Sequence, residues 1–471
     1  MDSGRDQNKT LATPLSAFSR NNRSFVVGIA VLVVFSIADI SVASLSLITR
    51  LVPENNSWEG LWSIVLYALM APAFGISSLL VTQFVIGRSF EAIGKVPNLG
   101  TISKTVTISL CVLTFLFALA AIQVIFTSQY STIILAISST ISLGTSAVVL
   151  SLLSLSFFSW YKSNKNFVLL MYGLWSIAAA ISLFLIIVST DVVLSNLSDR
   201  RNSASEVDMF MFQSDIVLGN IQVISAASNF ANFSLLWFAT VLLLYGHSRK
   251  LGATKFWLVI SLPIIAITFQ FIISLPIIAA VTTPSTDITY ITIFGQVLPA
   301  VAGGIIFGVP FWIVSRSITR NSPVRNYLLV ASWGMVLFQL AGSAGVYQAS
   351  YPPYGLFCML LTTPACYLIF VGIYSAAISI SADTDLRRSI RKHATEELRM
   401  LGDIGVASVQ KQIENKVLAI IKANYDSITE HSGIQPGLTE ENVKEYLQEV
   451  LNEIKNPDIK DTNKTRSDGN T

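Results

Sequence analysis

Charged side chains are scarce in this sequence. Only 13% of the 471 residues are Asp, Glu, Lys or Arg, against about a quarter in ordinary soluble domains. Hydrophobic residues make up 52%, and the mean hydropathy is +0.61. This composition excludes a soluble globular protein and indicates one that spans a membrane, with the lipid bilayer as a partner and no nucleic acid.

The motifs of common catalytic and metal sites are missing as well. The chain contains no HExxH, no GxSxG and no glycine-rich phosphate loop. The cysteines, Cys111, Cys358 and Cys366, have neither a disulfide framework nor a paired metal-ligand spacing. We therefore predict that the protein is not an enzyme, that it needs no cofactor and that it holds no catalytic or metal-binding residue.

Long apolar runs dominate the first 381 residues. A bilayer core requires about 20 apolar residues per helix, and lipid offers no partner to an unpaired backbone group, so each run is expected to be a helix. The sequence predicts an all-α, polytopic bundle of about ten transmembrane helices: Phe25 to Ile48, Leu61 to Ile86, Val106 to Phe126, Thr132 to Trp160, Phe167 to Val188, Ile216 to Gly246, Phe256 to Val281, Ile288 to Val314, Tyr327 to Val346 and Tyr354 to Ser381.

Basic residues in the connections predict the orientation. With a cytoplasmic N-terminus, fifteen Lys and Arg residues of the N-terminal tail and the inner connections would face the cytoplasm and three would face outward. We therefore predict that both termini are cytoplasmic, in the cell membrane. The predicted domains are an N-terminal tail (1–23), the membrane region (24–381, with an outer loop at 191–215), a helical cytoplasmic tail (382–456) and a disordered terminus (457–471).

The cytoplasmic tail continues the tenth predicted helix. From Phe370 to Met400 there is no proline and the only glycine is Gly372, so this helix is expected to leave the membrane unbroken. Two amphipathic stripes further on favour a homodimer or a cytoplasmic protein partner. A basic cluster after the membrane is predicted to contact lipid headgroups: Arg387, Arg388, Arg391 and Lys392.

Two glycines in the eighth predicted helix form a GxxxG motif, Gly304 and Gly308. Small residues four apart allow two helix backbones to approach closely. The motif predicts packing inside the bundle, with dimerisation as the alternative.

Asp39 lies deep in the first predicted helix, within the stretch VFSIADISVA. An ionised carboxylate in mid-membrane costs several kcal/mol, and such residues usually face the bundle interior. Ser36 lies one turn before Asp39. This spacing predicts that both side chains point inward.

Other polar residues lie at a similar depth. We estimate depth by counting about 1.5 Å per residue from the nearest cytoplasmic basic residue. Asp39 and the amides of Asn232, Gln270 and Gln339 then lie at a depth of roughly 21 to 26 Å. We predict a ligand pocket around Asp39, open to the outside and formed by the first, sixth, seventh and ninth helices. The alternative is that these polar groups only hydrogen-bond one helix to another. The candidate ligand-binding residues are Asp39, Ser36, Asn229, Asn232, Gln270 and Gln339.

Several stretches resemble an uncharacterised family of multi-pass membrane proteins of ammonia-oxidising archaea. They are HSRKLG at 247–252, YPPYGL at 351–356, and SAAISISADTDLRRSIRKHA followed by LGDIG at 401–405. The resemblance covers the sixth to tenth predicted helices and the tail, about half of the chain. It implies an archaeal cytoplasmic membrane, but the family has no known activity from which a site residue could be transferred.

Three functions fit the sequence. The first is a sensor or signal-coupling protein that binds a small ligand from outside and passes the change to its tail. The second is a transporter of a small neutral or cationic solute with a polar site around Asp39. The third is a structural membrane protein without a ligand. The unbroken tenth helix and its amphipathic tail favour the first.

Overall fold

The computed structural model describes residues 22–49, 57–93, 97–127, 131–200, 216–245, 252–254, 256–265, 268, 286–318, 322–342, 354–382 and 413. Within these ranges every regular element is an α-helix, and no residue belongs to a strand. The predicted all-α fold is therefore confirmed. Some predicted features lie outside the described residues: Gln270, the basic cluster, and the tail except for residues 382 and 413. What the sequence predicts for them stays a prediction.

Each predicted membrane segment contains one described helix. Eight of these helices are long and apolar enough to cross a membrane by length and composition, namely all but the seventh (Phe256–Ile265) and the ninth (Pro323–Ala341). The chain is thus a multi-pass membrane protein. The helices are α1 (Asn22–Thr49), α2 (Ser57–Ile93), α3 (Pro97–Thr127), α4 (Thr132–Asn164), α5 (Phe167–Arg200), α6 (Ile216–Tyr245), α7 (Phe256–Ile265), α8 (Thr286–Ser317), α9 (Pro323–Ala341) and α10 (Leu356–Ala382).

The structure differs in detail from the predicted spans. Helix α5 continues through Arg200, so its last turns are formed by residues expected to begin the outer loop. The polar Arg325 and Asn326 lower the hydropathy of α9, and α7 is described over a short stretch only. That α7 and α9 also cross the membrane stays a prediction.

Helix α10 lies at the centre of the bundle. It packs against α1, α2, α3, α4 and α9. Its most apolar stretch is 100% buried inside the protein, whereas the other candidate spans bury 28% to 50% of theirs. Because α10 has no lipid-facing side, it is apolar all round and shows no amphipathic stripe.

Glycines allow the closest helix crossings. A Cβ atom on Gly372 of α10 would lie 2.6 Å from the backbone nitrogen of Ala331 in α9, and one on Gly334 would lie 2.7 Å from that of Ile369. On the other side of α9, a Cβ on Gly308 would lie 3.0 Å from the carbonyl oxygen of Ser332. The GxxxG motif is thus used inside the bundle, as the first alternative predicted.

Hydroxyl groups connect α10 to two further neighbours. The hydroxyls of Ser103 in α3 and Tyr367 in α10 share a hydrogen bond of 2.6 Å. Ser142 in α4 donates a 2.9 Å bond to the carbonyl oxygen of Met359, five residues before Pro364, which interrupts the hydrogen-bond ladder of α10. These bonds and the glycine contacts fix α10 on several faces.

Substituting Gly372 tests the close crossing of α9 and α10. We expect Gly372→Ala to lower the free energy of unfolding by about 1–3 kcal/mol because the new methyl group overlaps backbone atoms. The matched control is Gly144→Ala in α4, where an added Cβ meets nothing within 4 Å and stability should be unchanged or slightly raised. Thermal unfolding of the purified protein in detergent measures both. Equal melting temperatures for the two variants would contradict the close crossing.

Candidate functional site

The Asp39 carboxylate lies at the N-terminus of α10. Asp39 is fully buried. The backbone N–H of Gly355 donates to Oδ1 over 2.7 Å, and that of Cys358 donates to Oδ2 over 3.1 Å. Asp39 therefore binds α10 through both of its oxygens.

This arrangement is a helix cap supplied by another helix. The first N–H groups of a helix have no partner in their own helix, and side chains at the N-cap position usually accept from them. Gly355, which precedes α10, has no side chain, and its φ of +96° is one that glycine adopts most readily. Asp39 supplies the missing acceptor, and its oxygens lie at the positive end of the helix dipole, which favours a negative charge there.

Ser36 and Cys358 complete the contact between α1 and α10. The Ser36 hydroxyl donates to the carbonyl oxygen of Leu32 in its own helix over 2.7 Å. The Cys358 thiol lies 3.5 Å from the carbonyl oxygen of Ser36 and donates to it. Ser36 and Asp39 are both fully buried, so their predicted inward orientation is confirmed.

Aromatic rings enclose the same end of α10. The ring of Phe357 contacts those of Tyr67, Phe74 and Phe117, with centroids 4.6 to 5.5 Å apart. Tyr354 packs edge-on against Tyr67 at 5.5 Å. All of these rings are buried, so the cap lies in an apolar environment where its hydrogen bonds are shielded from water.

The predicted amides lie in different surroundings. Asn229 is exposed and Asn232 is partly buried, although the two are one turn apart on α6. Gln339 is partly buried, with its Oε1 3.5 Å from where a Cβ on Gly303 of α8 would lie. Asp39 accepts its hydrogen bonds from the backbone of α10 rather than from these amides, among the residues that the structure describes. Ligand binding by the predicted residues stays a prediction.

Sequence analysis did not find the partners of Asp39, which are Gly355 and Cys358. A signal for them exists in the sequence. A helix that begins with glycine inside a membrane needs an acceptor from elsewhere, and Asp39 is the only acid deep in a predicted span. Chemically, the site can hold the first turn of α10 in place.

Comparison with protein-family models, curated proteins and solved structures finds no match for this chain. The resemblance to the archaeal membrane family therefore stays an expectation.

Replacing Asp39 tests the cap. We expect Asp39→Ala to lower the free energy of unfolding by about 1–3 kcal/mol because two buried N–H groups lose their acceptor. Asp39→Asn should cost less, since its amide oxygen can still accept one of the two bonds. Unfolding in detergent, by heat or by added SDS, measures the change.

The matched control is Ser41→Ala in the same helix. Among the described residues, the Ser41 hydroxyl bonds locally, to the carbonyl oxygen of Ile37 over 2.7 Å, and its loss should change stability by about 0.5 kcal/mol or less. If Asp39→Ala unfolds like Ser41→Ala, the cap does not stabilise the bundle.

Proposed function

We propose that the protein is a sensor or signal-coupling protein of the cell membrane. A small ligand bound from the outer side would change the packing around the Asp39 cap, and α10 would pass the change to the cytoplasmic tail. The observation that supports the proposal is that α10 packs against five other helices and is held at its first turn by Asp39.

The position of α10 suits a transmitting element. Because it is buried on all sides, a rearrangement of any neighbouring helix acts on it directly. Its neighbours include α1, which carries Asp39, and α9, which crosses it closely at Gly334 and Gly372. In this proposal α10 moves as a unit in spite of Pro364, so that a displacement at its first turn reaches its last turn at Ala382.

In this proposal the cytoplasmic tail that follows α10 passes the signal on to other molecules. No proline or glycine follows Gly372 before Leu401, so α10 would continue into the cytoplasm and carry the basic cluster to the lipid headgroups. The amphipathic stripes of the tail would then bind a protein partner or a second tail.

A transporter of a small neutral or cationic solute is the second candidate. The observation that favours it is the Oδ1 atom of Asn232, which is buried and has no hydrogen-bond partner among the residues that the structure describes. Against it, both Asp39 oxygens already accept backbone N–H groups. A solute at Asp39 would have to share or displace these bonds.

A two-stage experiment separates the two candidates. The full-length protein is first screened by thermal shift against ammonium, small amines, metal cations and common metabolites, because a ligand of the folded state raises its melting temperature. The stabilising compound is then added to protein in liposomes while hydrogen exchange in the tail and flux of the compound are measured. We expect changed exchange in residues 383–456 without flux.

Two variants serve as controls. Truncation after Lys392 should keep the thermal shift, because the ligand would bind within the bundle. Asp39→Asn should lose the ligand-dependent change in tail exchange while still folding. Flux that persists in the truncated protein, with a tail unaffected by ligand, would contradict the sensor proposal and support the transporter.

A further inference from the structure

Two buried polar atoms on neighbouring helices have no hydrogen-bond partner among the described residues. They are Nε1 of Trp175 in α5 and Oδ1 of Asn232 in α6. An indole nitrogen can only donate and an amide oxygen can only accept. Buried groups of this kind are nearly always satisfied by protein, water or ligand, because an unmet bond in an apolar environment is costly.

The packing of α5 on α6 places the two residues within about one helical turn of each other along the helix axes. The hydroxyls of Ser182 and Ser228 share a 2.7 Å hydrogen bond, and further along the rings of Phe167 and Phe238 lie 6.5 Å apart. These contacts show that the two helices run antiparallel. Trp175 lies midway between the two contact residues on α5, and Asn232 lies nearly midway on α6.

Trp175 and Asn232 also lie on the faces of α5 and α6 that meet each other. Trp175 is seven residues, or two turns, before Ser182, and Asn232 is four residues, or one turn, after Ser228. Residues at these spacings share a face of a helix. Both residues therefore lie on the side of their helix that carries the serine contact between α5 and α6.

Aromatic rings from two further helices border this region. The ring of Trp175 contacts Phe338 of α9 with centroids 6.0 Å apart, and Phe233, next to Asn232, contacts Phe307 of α8 at 5.4 Å. Gln339 follows Phe338 and lies against Gly303 of α8. The candidate membrane spans of α5 and α6 contain no charged residue, so the surroundings are aromatic and amide in character.

We propose that this region between α5, α6, α8 and α9 binds a small uncharged molecule that has both a hydrogen-bond acceptor and a donor. The acceptor of the ligand would receive the Trp175 Nε1–H, and its donor would bind Asn232 Oδ1. A primary amide has this chemistry. A cation lacks an acceptor for the indole, and a ketone lacks a donor for the amide. The site is separate from the Asp39 cap and does not depend on the proposed signalling function.

Probes that differ in one hydrogen-bonding group test the proposal on the full-length protein in detergent. Acetamide has a donor and an acceptor, acetone has an acceptor only, and methylammonium has donors and a positive charge. We expect a saturable rise in the melting temperature with acetamide and a smaller rise or none with the other two. The indole NMR signal of Trp175, assigned by its loss in Trp175→Phe, should shift with acetamide only.

Asn232→Leu keeps the number and branching of the side-chain heavy atoms but removes the acceptor, so the acetamide shift should be lost. Ser234→Ala is the matched control, because the Ser234 hydroxyl donates to the carbonyl oxygen of Phe230 in its own helix, and the shift should persist. It should also persist in Asp39→Asn, which separates this site from the cap.

The same measurements also show whether the region binds no such molecule. If acetamide shifts neither the melting temperature nor the indole signal, and Asn232→Leu raises stability by removing an unmet polar group, the proposal is overturned. An equal response to acetone, or a larger one to methylammonium, would overturn the assigned ligand class. Should Asn232→Leu fail to fold, the wild-type response to the three probes still decides the question.

Discussion

The first turn of a helix that begins inside a membrane protein must find acceptors for its N–H groups, and neither lipid nor water supplies them there. In this protein Asp39 of α1 meets that requirement for α10, across 316 positions of sequence. The contact joins the first and last described membrane helices. It also accounts for an aspartate in the middle of an apolar helix, because both of its oxygens accept backbone N–H groups at the positive end of the α10 dipole.

The central position of α10 follows from how its surface is used. Polar bonds hold it to α1, α3 and α4, while glycines bring its backbone against α9. Between apolar helices in lipid there is little hydrophobic driving force, so close packing and hydrogen bonds provide the association. The hydroxyl groups that bond between helices, such as those of Ser103 and Ser142, and the glycines at the close crossings therefore contribute to which helices are neighbours.

Sequence patterns predicted the positions of the helices, the inward face of α1 and the packing role of Gly304 and Gly308. They did not predict which helix receives Asp39, because periodicity identifies a buried face but not the partner across it. Depth in the membrane also did not predict which amide side chains are buried. Asn229 and Asn232 differ by one turn, yet the first is exposed and the second is partly buried. The tight fit at Gly372 could not be predicted either, since it depends on the crossing of two helices far apart in sequence.

The two sites differ in what remains available for binding. At the Asp39 cap the acceptor and its donors are already paired, so a ligand acts there only by competing with the hydrogen bonds of α10. Around Trp175 and Asn232 a donor and an acceptor are unpaired among the described residues, so a ligand gains bonds without breaking any. Helix α9 packs against α10 and also borders the second region through Phe338. A molecule bound beside Trp175 would therefore act on α10 through α9, and the cap would set how firmly α10 resists that displacement.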